Sequence, residues 1–132
     1  MPLRWTFRSY VAPDGTDVIQ DWFNHETKQA RGKFRSKLRI LGQLPFAEWR
    51  RPLFDTLADE CTGLWEIRFD ANHVPWRPLG FFQGLDTFTL VICASKDEHN
   101  WIPPNACTLG LARKAEILIN PARCHDLPIP LE

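Results

Sequence analysis

The first part of the chain passes from an alternating pattern of hydrophobic positions to a helical one. Residues 3–10 alternate, with Leu3, Trp5 and Phe7 on one face, which predicts a first strand with one buried side. A turn is expected at residues 13–15, and Thr16 or Asp17 can cap the helix that follows. Apolar side chains recur at helical spacing between positions 18 and 23, and this helix is predicted to end near Gly32.

A second amphipathic helix is predicted directly after the first. Phe34, Leu38 and Leu41 stand at positions i, i+4 and i+7, and the pattern stops at Gly42 and Pro45. The short junction at Gly32 favours an αα-hairpin. Beyond Pro45 the pattern is weaker, and we expect a short extended piece at residues 52–54 and a loop at residues 55–62.

Three further segments have the pattern of strands. LWEIRF (64–69) alternates and puts Glu66 and Arg68 on one face, while WRPLGFF (76–82) puts Arg77 and Leu79 on a common face. TFTLVICAS (87–95) is apolar on both faces, which predicts a central strand covered by helices. A third helix is expected after residues 103–104, with its end at Asn120-Pro121.

The predicted order is therefore β-α-α-β-β-β-α. It indicates an α+β fold in which an N-terminal αα-hairpin and a C-terminal helix pack on a small antiparallel sheet. Residues 1–130 are expected to form a single domain, because no long Gly/Ser/Pro tract separates the periodic segments. Residues 131–132 could derive from a cloning site and are left out of the fold prediction.

Composition and charge refine this prediction. The chain has 132 residues, 44% of them hydrophobic, which is enough apolar surface for a stable core. It lacks a long apolar run and a signal-peptide pattern, so we expect a cytoplasmic protein without a membrane partner. The cysteines lack metal-binding spacing and are expected to be reduced, and no metal or cofactor is predicted.

The formal net charge is zero, but residues 31–51 form a basic segment in which seven cations accompany one carboxylate, Glu48. Such a segment can be a solvated helix face, or it can bind ribosomal RNA or an acidic partner. Four of its arginines are candidate RNA contacts: Arg35, Arg39, Arg50 and Arg51.

Several segments together resemble the RelE/ParE toxin superfamily, and specifically its HigB-like, phage-derived branch. They are LWEIRF, the strand WRPLGFF with its internal arginine, the long strand TFTLVICASK and the helix GLARKAEI, preceded by the αα-hairpin. The resemblance implies a RelE-like fold and a small cytoplasmic toxin of a type II toxin–antitoxin module. It also implies cleavage of messenger RNA on the translating ribosome and a cognate antitoxin, with which the toxin would form a hetero-oligomer.

The resemblance makes Arg68 and Arg77 the strand arginines that hold phosphate, and Lys96 the basic residue that closes the central strand. If both arginines lie on one face of the sheet, their forked donors can grip a single phosphate. His99 carries an imidazole, which suits proton transfer to or from the 2′-hydroxyl or the leaving oxygen, a reaction that needs no metal. Trp76 and Trp101 can stack an unpaired base.

Each assignment has an alternative in which the residue is only structural. Arg68 can pair with Glu66 within the sheet, and His99 can be a solvated loop residue beside Asp97 and Glu98. For the whole chain, one alternative function is that of a ParE-like gyrase poison. Another is a phage-derived binding module whose catalytic site has decayed, since Asp97 and Glu98 stand where the family usually has a second lysine.

Overall fold

A computed structural model describes residues 3–131 as a mixed α+β fold. Its helices are α1 (Val18–Asn24), α2 (Lys28–Gln43) and α3 (Ala106–Ile119). Its strands are β1 (Thr6–Tyr10), β2 (Phe54–Thr56), β3 (Trp65–Ile67), β4 (Phe69–Ala71), β5 (Val74–Phe82), β6 (Thr87–Asp97), β7 (Asn100–Ile102) and β8 (Cys124–Asp126). Short 3₁₀ helices lie at Phe46–Glu48, Asp59–Cys61 and Pro121–Arg123.

The strands form one sheet with the order β2-β3-β5-β6-β1-β8, while β4 pairs with β5 and β7 pairs with β6. The predicted central position of β6 is confirmed, since β5 and β1 flank it. The predicted small antiparallel sheet is wrong in two respects. The sheet of the described residues has eight strands, and β1 runs parallel to β6. Five of these strands, β2, β3, β4, β7 and β8, are only three residues long, and a segment of three residues is too short to show a clear alternation in the sequence by itself.

The predicted boundary between the first two helices is also wrong. The chain leaves α1 at His25, and α2 begins after Thr27, so Gly32 lies inside α2. The cause is the capping of α2, because the Thr27 hydroxyl accepts a hydrogen bond from the Ala30 N–H at 3.1 Å. Of the two predicted caps of α1, Thr16 and Asp17, the cap is Asp17, since its carboxylate accepts hydrogen bonds from two backbone N–H groups of the first turn.

The predicted strand at residues 64–69 is divided into β3 and β4. The gap falls at Arg68, and the adjoining residue of β3, Ile67, lies opposite Pro78 of β5, which has no N–H to donate to its neighbour. The Arg68 N–H instead donates to the Leu53 carbonyl at 2.8 Å. The gap thus turns the backbone of Arg68 towards the segment that precedes β2.

Two clusters of buried side chains hold the layers together. The first is rich in aromatic residues and includes Phe34 and Leu38 of α2 with Phe69 and Phe88 of the sheet. The second lies under α3, where Ile117 packs with sheet residues such as Leu79. Leu131, which the fold prediction leaves out, packs at the edge of the first cluster, whereas Glu132 lies outside the described residues.

A disulfide joins Cys61 to Cys107 and ties the 3₁₀ helix before β3 to the start of α3. The expectation that all four cysteines are reduced is therefore wrong for this pair, because sequence spacing does not show which cysteines meet in the fold. Cys93 and Cys124 are free thiols. Burial, and then the negative charges of Asp17 and Glu26, raise the pKa of the Cys93 thiol well above its ordinary value. Among residues 3–131, no helix combines the length and apolarity needed to cross a membrane.

Candidate functional site

Arg68 and Arg77 stand opposite each other on neighbouring strands. The partners on either side of them are Glu66 with Leu79 and Phe69 with Trp76. Both pairings belong to one continuous register, and this register sets Arg68 across from Arg77. Residues directly opposite in an antiparallel pair share a face of the sheet, so the condition for a joint phosphate grip is met at the level of the backbone.

The two guanidinium groups are held in different ways. Arg68 is partly exposed and forms an ion pair with Glu66, whose side chain is only 4% exposed. Arg77 is buried and donates from Nη1 to its neighbour's carbonyl, the Trp76 oxygen, at 2.7 Å. The same atom lies 3.7 Å from the Asp70 carboxylate. The ion pair that was the structural alternative for Arg68 thus exists, and it also fixes Arg68 in front of Arg77.

Two arginines in such proximity repel each other. Burial first, and then the charge of Arg68, lower the pKa of Arg77, while Glu66 and Asp70 act in the opposite direction. The guanidinium nevertheless stays positively charged at neutral pH, because arginine side chains keep their proton in proteins. Its Nε atom is buried and has no hydrogen-bond partner among the described residues. A buried donor without a partner is costly, and an anion that reached it would remove that cost.

The two arginines line a cleft of about 460 Å³ beside β4 at the sheet edge. Lys33 and Lys37 of α2 and Arg51 of the preceding loop complete a set of five cations, with Asp70 as the one carboxylate in the lining. We define these five residues as the cationic cleft. The excess of positive charge in a concave site favours an anionic ligand.

Lys33 and Lys37 were not among the site residues predicted from the sequence. They are four residues apart, so they lie on the same side of α2, next to the buried stripe that contains Phe34 and Leu38. Arg35 and Arg39 lie on the opposite flank of that stripe. Helical spacing separates the two pairs in the sequence, but only the packing of α2 against β4 shows which pair meets the strand arginines.

The basic segment therefore does not form one surface. Arg35 lies over the Phe23 ring at 5.9 Å, and Arg39 donates to the Leu131 carbonyl at 3.3 Å. Arg50 pairs with the exposed Glu48 at 3.2 Å. Arg35, Arg39 and Arg50 do not line the cleft. Arg51, the fourth predicted RNA contact of this segment, does.

Arg51 is anchored at the rim of the cationic cleft by a carboxylate. Its Nε lies 2.7 Å from Asp55 Oδ2. The hydrogen bond from Arg51 is the main cause of the lowered pKa of Asp55. The pair leaves the rest of the Arg51 guanidinium at the mouth of the cleft.

Lys96, His99 and Trp101 belong to the hairpin of β6 and β7. Lys96 is paired with Trp101 across the hairpin, and its Nζ lies 4.4 Å from the centre of the indole ring. Both line a second cleft of about 470 Å³ near the 3₁₀ helix Asp59–Cys61. His99 is exposed in the turn of the hairpin.

The strand register nevertheless places Lys96 on the same face of the sheet as Arg77. Arg77 is opposite Ala94 of β6, and Lys96 is the next residue of β6 on that face. Lys96 is thus a diagonal neighbour of Arg77, but its side chain is stacked on Trp101. Trp76 is on the other face of β5, where it packs edge-to-face on Trp22 at a centroid distance of 5.1 Å. Its ring belongs to the packing around the first core cluster.

Potential metal ligands come together at one place in the described part of the chain, where Glu60 lies beside Cys61 and Cys107. Metals bind the thiolate form of cysteine, and these two sulfur atoms are joined in a disulfide. The oxidised pair therefore does not offer a metal centre.

Comparison with known families gives a match over residues 21–114 to the family described as Phage derived protein Gp49-like (DUF891). The matched segment contains most of the fold, from α1 to the middle of α3, together with all five residues of the cationic cleft. The chain belongs to this phage-derived Gp49-like family. No curated protein and no solved structure matches the chain significantly.

Proposed function

We propose that this protein is the toxin of a type II toxin–antitoxin module and that it cleaves messenger RNA on the ribosome. The Gp49-like family is associated with toxins of the RelE/HigB type, which supports the general class. The observation that carries the finer proposal is the register that opposes Arg68 and Arg77 in a cleft with three further cations. We treat residues 1–130 as one toxin domain that acts in the cytoplasm.

In the proposed reaction the 2′-hydroxyl of the RNA attacks the adjacent phosphate. The O–P bond to the next nucleotide breaks as the new O–P bond forms, so the reaction needs one proton acceptor and one proton donor. Arg68 and Arg77 hold the phosphate, and their fixed positive charges stabilise the negative charge that grows on its oxygens. This step uses no metal or other cofactor.

Lys96 and His99 are the proposed contributors from the hairpin side. Lys96 shares a face with Arg77 and adds positive charge next to the phosphate. His99, exposed in the hairpin turn, is the proposed proton-transfer group. The proposed RNA contacts are Arg51 at the rim, Trp101 beneath Lys96, and the outlying Arg35, Arg39, Arg50 and Trp76.

The proposed partners follow from the same charges. A cognate antitoxin that inhibits the protein would bring acidic side chains against the cationic cleft, in a toxin–antitoxin hetero-oligomer. Because such binding depends on charge, it should weaken as the salt concentration rises. The antitoxin and messenger RNA would then compete for one surface.

The test is a short induction of the protein in bacteria, followed by mapping of the 5′ ends of messenger RNA and of plasmid supercoiling. Arg77→Ala is the test variant, and Arg4→Ala is the matched control, because Arg4 is exposed, lies outside the cleft and is not a proposed RNA contact. We expect cleavage within translated regions for the original protein and the control, and none for Arg77→Ala.

Other outcomes identify the alternatives. Intact messages with altered supercoiling would assign the protein to the gyrase poisons. Absence of both effects, with the folded protein present, would favour a binding module without catalysis, for which the exposed acidic Asp97 and Glu98 on the hairpin are the supporting feature.

A further inference from the structure

The cationic cleft continues into an adjacent cleft of about 610 Å³ at the far end of β4, which is distinct from the cleft at Lys96. The two clefts share Lys33 and Asp70 in their walls. Gln29, Lys33 and Lys37 are spaced by four residues, so one side of α2 borders both. Arg68, Arg77 and this side of α2 therefore belong to one groove, whose length along the helix is about 12 Å from Gln29 to Lys37.

The far end of the groove is formed by the turn between β4 and β5, and this turn is held in place. The Thr27 hydroxyl donates to Asn72 Oδ1 at 2.5 Å, and the Asn72 N–H donates to Gln29 Oε1 at 2.6 Å. These bonds tie the turn to the start of α2. Asn72 and His73 both have positive φ angles, 52° and 64°, which histidine seldom adopts. The turn thus presents the His73 ring from a fixed backbone.

The two ends of the groove differ in chemistry. One end holds Arg68 and Arg77, with the unpartnered Nε of Arg77. The other end has two amides and an imidazole, from Gln29, Asn72 and His73. The described hydrogen bonds use the oxygen of each amide, which leaves both NH₂ groups as donors. A charged end beside an end with neutral, planar, hydrogen-bonding side chains matches a nucleotide, which has a charged phosphate and a neutral, planar base.

We propose that this groove binds single-stranded RNA, with a phosphate at Arg68 and Arg77 and the base of an adjoining nucleotide at Gln29, Asn72 and His73. Amide side chains recognise bases by paired hydrogen bonds to their edges, and an imidazole ring can stack on an unpaired base. The turn is therefore a specificity-determining element of the cleavage reaction. This inference rests on the proposed function for the phosphate end of the groove.

The distribution of charge favours RNA over an acidic peptide as the ligand of the far end. An acidic peptide needs cations along its whole path, but beyond Lys33 the lining contains no further cation among the described residues. Asp70, whose side chain is 75% exposed, lies in the wall between the two ends and repels carboxylates there. A neutral base meets no such repulsion.

The test measures binding of two fluorescently labelled short oligoribonucleotides, both with 2′-O-methyl groups that prevent cleavage. One carries all its bases, and in the other a single position is abasic. His73→Gly is the main variant, because glycine adopts the positive φ of this position while the imidazole is lost. His25→Ala, an exposed histidine outside the groove, is the matched control.

We expect the original protein and the control to prefer the complete RNA by about tenfold at the matching position. His73→Gly should lose most of this preference and keep its affinity for the abasic RNA, whereas Arg77→Ala should weaken binding of both RNAs alike. Equal preference in His73→Gly and His25→Ala would overturn the inference and leave the phosphate site intact.

Two further outcomes separate the inference from the proposed function. If Arg77→Ala leaves the binding of both RNAs unchanged, the proposed function fails at its phosphate site, and the inference fails with it. If His73→Gly instead loses affinity for an oligoglutamate peptide while its preference for the complete RNA is retained, the turn is an antitoxin contact, and the base site is disproved.

Discussion

The cationic cleft and the β6–β7 hairpin both contribute cations to one face of the sheet, but they hold them differently. In the cleft, Arg77 is buried, bound to backbone oxygen and opposed by Arg68. On the hairpin, Lys96 is partly exposed and lies on the Trp101 ring. The same formal charge is therefore buried and held by backbone oxygen in the cleft, whereas on the hairpin it is partly exposed and rests on an indole ring.

This difference indicates where binding energy for an anion is concentrated. A buried guanidinium with an unpartnered donor has lost its water and gains strongly from a phosphate, whereas a solvated ammonium must first give up its hydration. Neighbouring carboxylates are part of this arrangement. Glu66 and Asp70 offset the repulsion that Arg77 experiences from Arg68 and from Arg51.

The largest expected effect comes from removing the disulfide between Cys61 and Cys107, which lies near the β6–β7 hairpin. Replacing both Cys61 and Cys107 by serine should lower the free energy of unfolding by about 4 kcal/mol, since the disulfide closes a loop with a sequence separation of 46 residues. Urea unfolding of the original protein and the double variant measures this. At low denaturant RNA binding in the cleft should persist, and an unchanged unfolding free energy would show that the pair is reduced in the native protein.

Removal of the buried guanidinium should have the next largest effect. Arg77→Ala is expected to slow RNA cleavage by about 100-fold or more, the usual loss when a preorganised donor to the transition state is removed. Arg77→Lys should restore little, because an ammonium cannot bond the Trp76 carbonyl and a phosphate with the same fork geometry. Single-turnover rates provide the measurement, with circular dichroism to show that each variant is folded.

The hairpin cation should matter less. Lys96→Ala is expected to lower the cleavage rate by no more than about fivefold, because Lys96 is partly exposed and a cation–π contact near the surface is worth about 0.5–1 kcal/mol. A loss as large as that of Arg77→Ala would contradict the comparison and make Lys96 an equal member of the site.

The smallest effect concerns the rim of the cleft and its dependence on pH. Arg51 holds the pKa of Asp55 below its ordinary value, so the pair stabilises the fold above about pH 4 and loses this effect as pH falls through the lowered pKa. Asp55→Asn should cost about 0.2–1 kcal/mol at neutral pH and less near pH 3. Unfolding curves at the two pH values test this, and an equal cost at both would exclude the ion pair as its cause.

The sequence by itself determined the elements with long, regular patterns. The burial of Trp5 and Phe7, the cap at Asp17, the central position of β6 and the end of α3 at Asn120 follow from local periodicity and capping chemistry. Local patterns suffice here because each depends on contacts within one element or its nearest neighbour. The family resemblance also singled out Arg68 and Arg77 as candidate phosphate contacts, but the strand pattern alone did not set them opposite each other.

Only the tertiary structure decided which distant residues meet. Lys33 and Lys37 reach the strand arginines, and Cys61 reaches Cys107, through packing between segments that are far apart in the chain. The short strands β2, β4, β7 and β8 likewise exist because a partner strand supplies their hydrogen bonds, not because of their own pattern. The physical reason is that three residues gain too little locally to offset their loss of conformational entropy, so long-range pairing selects their structure.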